Sequence, residues 1–261
     1  MLTKTMRAPF FKRQVLEVNN DCYEEYGEKW YEADDDPEAI LRSESKLKNE
    51  WVRKTLEEKF GDKKLKILDI GCGGGFLSNY LSELGHQVIG LDLSPSSLET
   101  ARAYDSTKNV NYMLGNATNL PFNDEEFDVA FAMDVLEHVE NPSVVIKEAT
   151  RVIGKNGAFF FHTFNRNPLS YIVAIKLLEW FCPNTPKNMH IYRLFIRPDE
   201  LADTCKSVGL KNVEMTGIRP RLFTMACLIS IVKRKLHEKF SFSLTPSLLV
   251  GYLGHASKLN E

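Results

Sequence analysis

The sequence predicts an α/β protein: a mostly parallel, doubly wound sheet with an antiparallel edge strand, an N-terminal helical cap and an apolar helical insert. Three observations carry this. Short apolar runs alternate with amphipathic stretches from about Lys64 to Thr163, the pattern of strand–helix units that wind a parallel sheet. The run Ile67-Leu68-Asp69-Ile70 passes directly into Gly71-Cys72-Gly73-Gly74-Gly75, a buried strand ending in a turn that can bend sharply and be approached closely. A second run, Val88-Ile89-Gly90-Leu91, ends on Asp92. Open α/β sheets take nucleotide-like ligands at such carboxyl ends.

Residues 1–62 precede the sheet as the cap. Tyr23, Tyr26, Trp30 and Tyr31 stand beside the acidic run Asp34-Asp35-Asp36. Glu38–Phe60 reads as a helix whose apolar side is Ile40, Leu41, Leu47, Trp51 and Leu56. It either roofs the ligand mouth or packs on the sheet edge. Residues 63–261 form the main domain. Lys66–Ile70 is its first strand, and the helix Phe76–Leu84 stops at Gly85, a C-cap. Gln87–Leu91 is the second strand; the helix Pro95–Ala103 follows with Ser94 as N-cap and proline at its first position. Tyr112–Leu114 and Phe127–Ala132 are further strands, Pro142–Arg151 a helix, and Gly157–Thr163 the fifth strand.

Beyond Thr163 the alternation breaks. Pro168–Phe181 is an apolar helix inside an insert of about 165–197, too short to span a bilayer. Pro198–Val208 is a helix. A segment of about 219–240 holds apolar Leu222–Ile231 between Arg219, Arg221 and Lys233-Arg234-Lys235. Leu248–Gly254 is expected as the last strand, antiparallel at the sheet edge.

Composition narrows the class. A hydrophobic share of 43% and a charged share of 26% are ordinary for a globular protein. A net charge of −2 gives no pull toward nucleic acid. The five cysteines are scattered, without metal-finger or redox spacing, and point to a reducing cytoplasm. Met1–Arg13 is basic but lacks an apolar core and is not expected to be a secretory signal. No apolar run reaches the roughly 20 residues that a spanning helix needs.

The glycine turn, Gly71 and Gly73 included, leaves the ligand open until Asp69 is considered. In a dinucleotide fingerprint that position is usually apolar, and a pyrophosphate rests on the next helix N-terminus. Asp69 would repel an anion and attract a cation. S-adenosylmethionine carries a sulfonium and an ammonium and no phosphate. Asp92, about twenty residues on, suits two ribose hydroxyls. Asn116 and Ala117 after the third strand suit the edge and face of an adenine. The plainer alternatives make Asp69 and Asp92 caps and Asn116 a turn residue.

The fourth strand runs into Met133-Asp134-Val135-Leu136-Glu137-His138-Val139, where an acceptor would meet the cofactor. On a helical turn Asp134, Glu137 and His138 share a face. Three readings stand: a divalent cation held by Asp134, Glu137 and His138, a metal-free general base in His138 oriented by the acids, or residues that only shape the pocket. A phenol suits such a site. Its pKa is near 10, so it must be deprotonated before it attacks a methyl group, by a base or with a cation's help.

Leu-Asp-Ile-Gly-Cys-Gly-Gly-Gly, then Gly-Leu-Asp, then Met-Asp-Val-Leu-Glu-His-Val, then Thr163-Phe164-Asn165-Arg166-Asn167 resemble the ubiquinone-biosynthesis O-methyltransferases. So do Phe195–Leu201 and Tyr252-Leu253-Gly254-His255-Ala256; the resemblance covers roughly Glu38 to the end. It implies a Rossmann-like class I methyltransferase fold, S-adenosylmethionine as cofactor, and methylation of a catechol-type hydroxyl on a polyprenylated ring. Gly71, Asp92 and Met133 would contact the cofactor, and Lys48 stands where the family has a basic residue, usually Arg, near the cofactor carboxylate. The acids resemble those of members described with magnesium, although Asp134 replaces a more usual Glu. A polyprenyl substrate further implies peripheral contact with the inner face of a membrane through the insert and the basic segment, and the family implies partners in a ubiquinone-making complex. Competing expectations are a different small phenol or a quinone-ring carbon as acceptor, and a non-catalytic S-adenosylmethionine-binding partner protein.

Overall fold

A computed structural model describes residues 17–182 and 184–259; the basic start Met1–Arg13 lies outside the described residues. A long helix α1 (Pro37–Phe60) leads into β1 (Lys66–Ile70), α2 (Phe76–Glu83), β2 (Gln87–Asp92), α3 (Pro95–Ala103), β3 (Asn111–Leu114), β4 (Phe127–Met133), α4 (Pro142–Val152) and β5 (Ile153–Phe164). After a helical insert come α5 (Pro198–Ser207), β6 (Lys211–Pro220), α6 (Met225–Lys233), β7 (Phe242–Thr245) and β8 (Gly251–Ser257). The strands form one sheet in the order β3-β2-β1-β4-β5-β8-β6-β7. The first five are mutually parallel, while β8 runs antiparallel to β5 and β6, and β7 antiparallel to β6.

Period-two alternation along the strands explains the layers. Leu68, Ile70, Ala130, Ala132, Phe159 and Phe161 face α4 and α5, packing on Val145, Ile146, Ala149, Leu201 and Cys205. Their neighbours Ile67, Val129, Phe131 and Phe160 face the other way, onto Val52 and Leu56 of α1 and Leu77 and Leu81 of α2. Each large apolar side chain so buried contributes about 1.5–3 kcal/mol. Helix starts follow local chemistry: Ser94 Oγ accepts the Ser97 N–H at 3.1 Å with Pro95 at the first position.

The sheet does end on an antiparallel edge strand, but that strand is β7. The expected last strand, Leu248–Gly254, is shifted to Gly251–Ser257 and lies inside, between β5 and β6. β6 and β7 escape a sequence reading for physical reasons. In β6 only Val213 and Met215 of its first half pack on the core, among Lys211, Asn212, Glu214 and Thr216, and β7 has four residues. The insert helix is broken into Pro168–Ser170, a π-helical turn Tyr171–Lys176, and Leu177–Phe181. Among the described residues no helix is long and apolar enough to cross a membrane.

Candidate active site

The turn after β1 needs its glycines. Gly71 has φ +69° and a Cβ there would lie 2.4 Å from Val135 Cγ2, so an L side chain is excluded by backbone and space together. Gly73 turns its N–H onto Asp92: Asp92 Oδ2 accepts from Gly73 at 2.8 Å and Oδ1 accepts from the Ser94 N–H at 2.9 Å. Each carboxylate oxygen has further lone pairs, so Asp92 is fixed in place and can still receive two hydroxyls. Asp69 is 2% exposed and accepts from Ser78 Oγ at 2.6 Å. Burial, with Asp92 adding to it, pushes its carboxyl up to about 7, a free-energy deficit that a cationic ligand would relieve.

Lys48, Gly71, Gly73, Asp92, Asn116, Ala117 and Met133 all line one cavity of about 320 Å³. Asn116 is divided between its two readings: Oδ1 accepts from the Thr118 N–H and Oγ1 at 2.9 and 2.8 Å, leaving its amide N–H groups for a ligand. Tyr23 and Trp30 roof this cavity. Their rings stack 5.9 Å apart, Trp30 Nε1–H donates to Ser97 Oγ at 3.2 Å, and the Tyr31 hydroxyl donates to the Gly74 carbonyl at 2.9 Å. The α1 helix serves both roles open to it: Ser45, Lys48 and Asn49 face the cavity, while Val52 and Leu56 pack on the sheet.

A second, somewhat more apolar cavity of about 350 Å³ adjoins the first. Its walls come from α1 (Pro37, Ile40, Leu41), the insert (Val173, Leu177, Leu178, Phe181), α6 (Cys227, Ile231) and the strand edges (Ile218, Phe242, Val250). Its polar lining falls in two groups: Glu44, Asp134, Glu137, His138 and His190, and a charged set of Asp34, Asp35, Asp36, Arg234 and Lys235, in which Lys235 pairs with Asp34. Tyr23, Leu41, Asp134 and His138 line both cavities and mark where the two meet.

At that junction the expected triad Asp134, Glu137 and His138 is not assembled around one point. Asp134 is not on the helical turn; it sits before it with φ +60°, a conformation Asp tolerates better than most residues. Its carboxylate faces β5 and α1 instead. Oδ1 accepts from His162 Nδ1 at 2.5 Å, and Oδ2 takes an ion pair from Lys48. Lys48 also reaches Glu44 at 3.3 Å. Among the described residues, the three side chains whose ligand atoms lie within 4.8 Å of one another are Glu44, Asp134 and His162, and the Lys48 ammonium already supplies positive charge to two of them. Although burial opposes ionisation, Lys48 and His162 hold Asp134 well below the usual carboxylate range. Lys48 therefore meets the cofactor cavity through the part of its ammonium that these acids leave free.

Glu137 is fully buried; Oε2 accepts from Thr163 Oγ1 at 2.8 Å, and Oε1 has no partner among the described residues. Burial and the nearby Asp134 charge raise its carboxyl above the usual range. His138 Nε2 lies 3.3 Å from the Tyr23 hydroxyl. Burial and the facing His190, opposed by Asp134, push His138 down to about 3, so the ring is neutral with a lone pair to offer, and its protonated form is disfavoured in the unliganded site. Sequence reasoning missed Glu44, His162 and His190. Glu44 had a usable signal, one helical turn before Lys48. His162 and His190 had none, being brought in by strand register (Met133 opposite His162) and by the insert's return.

A parallel sheet with a glycine turn after β1, an acid closing β2, and an acceptor cavity at the carboxyl ends defines a class I S-adenosylmethionine-dependent methyltransferase. A methyltransferase-domain family model matches residues 68–161. The crystal structure of an S-adenosylmethionine-dependent methyltransferase from Thermotoga maritima, a possible histamine N-methyltransferase, superposes with a TM-score of 0.62 at 21% identity, covering 91% of this chain and 99% of that one. The ubiquinone biosynthesis O-methyltransferase of Thiobacillus denitrificans is 40% identical over 156 residues, 59% of this chain and 67% of that one. Its counterpart from Azoarcus sp. is 34% identical over 197 residues, 74% and 78% of the two chains. The chain belongs to the ubiquinone biosynthesis O-methyltransferase family.

Proposed function

We propose that the protein transfers the methyl group of S-adenosylmethionine to a catechol-type hydroxyl on a polyprenylated ring, a step of ubiquinone biosynthesis. One observation carries this reading: a cofactor-sized cavity meets, at Tyr23, Leu41, Asp134 and His138, a more apolar one walled by Val173, Leu177, Ile218 and Ile231, with Glu137 and His190 also lining that second cavity. A ring hydroxyl at the junction would leave a hydrocarbon tail along Val173, Leu177, Ile218 and Ile231.

S-adenosylmethionine supplies an electrophilic methyl group on a positively charged sulfur. The residues of the chain do the rest. Asp92 binds the ribose hydroxyls, Asn116 and Ala117 the adenine, and Lys48 the carboxylate, while Asp69 favours the cation electrostatically. Tyr23 and Trp30 exclude water from above. His138 takes the acceptor's proton at Nε2 in exchange for its 3.3 Å contact with Tyr23. The O–H pair then stays on oxygen and forms the O–CH3 bond as the S–CH3 pair withdraws onto sulfur. Glu137, through its free Oε1, orients the ring hydroxyl. Asp134, Glu137 and His138 do not converge on one point as a metal site would require; the ligand atoms that come together among the described residues are those of Glu44, Asp134 and His162, with Lys48 paired to the two acids.

Peripheral docking on the inner membrane face is part of the reading. It is supported by exposed Trp180, Phe223, Met225, Leu228 and Val232 beside Lys233 and Arg234, on the two elements that wall the apolar cavity. The reading is tested with catechols of equal ring chemistry and different tails. A short prenyl tail should lower KM at least about 10-fold against a tail-less catechol, since each buried CH2 contributes about 0.8 kcal/mol; equal KM values would remove the tail from the assignment.

A further inference from the structure

His190 lies in the return from the insert, before the turn Tyr192–Leu194, and lines the apolar cavity with Glu137 and His138. Nothing in the reaction above uses it. Its ring is fixed from three sides: by His138 at 5.3 Å, by Phe164 edge-on at 5.3 Å, and by Phe195 at 6.2 Å. Nδ1 lies 3.2 Å from the Ala174 carbonyl of the π-helical turn. A carbonyl only accepts, so Nδ1 carries the hydrogen. In the neutral ring Nε2 then holds a lone pair. Two imidazoles thus stand side by side on the wall of the apolar cavity, one at the cofactor junction and one beside it. A catechol has two adjacent hydroxyls, and only one of them receives the methyl group.

We propose that His190 determines specificity for the second hydroxyl: its Nε2 accepts the hydrogen bond of the catechol oxygen that is not methylated, while His138 serves the one that is. This rests on the function proposed above and names how that site tells a catechol from a monophenol. An acceptor without the second hydroxyl leaves the His190 acceptor facing hydrocarbon, unpaired in a dry site, and such a loss is heavily penalised. The contact also sets which way round the ring lies, so that one oxygen is presented to the cofactor and its neighbour is held off.

The test compares a short-prenyl catechol with the matching monophenol, in the full-length protein and in His190→Phe and His190→Gln. The first variant keeps a ring of similar volume without an acceptor, and the second keeps an acceptor. Binding of S-adenosylhomocysteine, measured by calorimetry, reports whether each variant retains the folded cofactor site. The preference for catechol, as a ratio of kcat/KM values, should fall about 10- to 100-fold in His190→Phe and recover in part in His190→Gln. An unchanged ratio in His190→Phe with cofactor binding intact overturns the proposal. So does an equal loss on both acceptors, which would make His190 a structural support. A wild-type protein that methylates neither acceptor overturns the functional reading itself, a result distinct from either of these.

Discussion

At the scale of single residues, the chemistry of the junction follows from how charges are paired out of water. Lys48, 3% exposed, is held between Glu44 and Asp134, and Asp134 in turn orients His162. A buried cation with two carboxylates costs less than either acid alone, so the chain neutralises Asp134 from within. This is why a motif that resembles a metal site in sequence folds into an ion-pair network. The spacing of Asp134, Glu137 and His138 assumed one helical turn, but the left-handed φ of Asp134 takes it off that turn. The residues expected at the cofactor line one cavity, and all but Lys48 sit at or just past a strand end or in the glycine turn, where local sequence sets the geometry. His162 and His190 were not legible, because strand pairing and the insert's return bring them in, whereas Glu44 could have been read from its place one helical turn before Lys48.

At the scale of elements, the three pieces that wall the acceptor cavity are the α1 start, the insert and α6. The insert and α6 share an unusual surface. Ile172, Trp180 and Phe181 on one, and Phe223, Met225, Leu228 and Val232 on the other, are exposed, while Val173, Leu177, Cys227 and Ile231 of the same elements line the cavity. The sequence reading gave a helix for the insert and only an apolar segment with basic ends at α6, and it could not say that both sides of each are apolar for different reasons. If the outer face docks on lipid, the protein should co-sediment with vesicles containing phosphatidylglycerol at low salt. It should be released in part at high salt, because Lys233 and Arg234 are screened. Phe223→Ser with Met225→Ser should weaken this about 10-fold. Failure to bind anionic vesicles at low salt would sink membrane docking without touching the chemistry.

At the scale of the whole molecule, the alternation of β and α from β1 to β5 was readable because both sheet faces are covered and the strands are continuous apolar runs. The sheet's far side was not, since β6 and β7 are polar or short and take their place only by pairing. The fold also stores carboxyls it would rather keep protonated. Burial pushes Asp69 and Glu38 up to about 7, and both Glu38 oxygens lack hydrogen-bond partners among the described residues. A raised folded-state pKa means that the native state holds the extra proton. The stability it gives is therefore full below the ordinary carboxylate range and is lost as pH rises toward about 7. Glu38→Gln removes one such group. The stability of the variant relative to the parent should rise by about 2–4 kcal/mol between pH 5 and pH 8, with other titrating groups common to both cancelling. A difference in Tm that does not change with pH would mean that Glu38 is already solvated or paired.

The most direct measurement is transfer of label from S-adenosylmethionine to a short-prenyl catechol, by the intact protein and by His138→Gln, with magnesium and with chelator. O-methylated product should persist under chelation, and kcat should be about 10²–10⁴-fold lower in His138→Gln with cofactor affinity retained. Product that vanishes with chelator would contradict the metal-free junction. Absence of transfer by the intact protein, with cofactor bound, would contradict the function assigned to the two cavities.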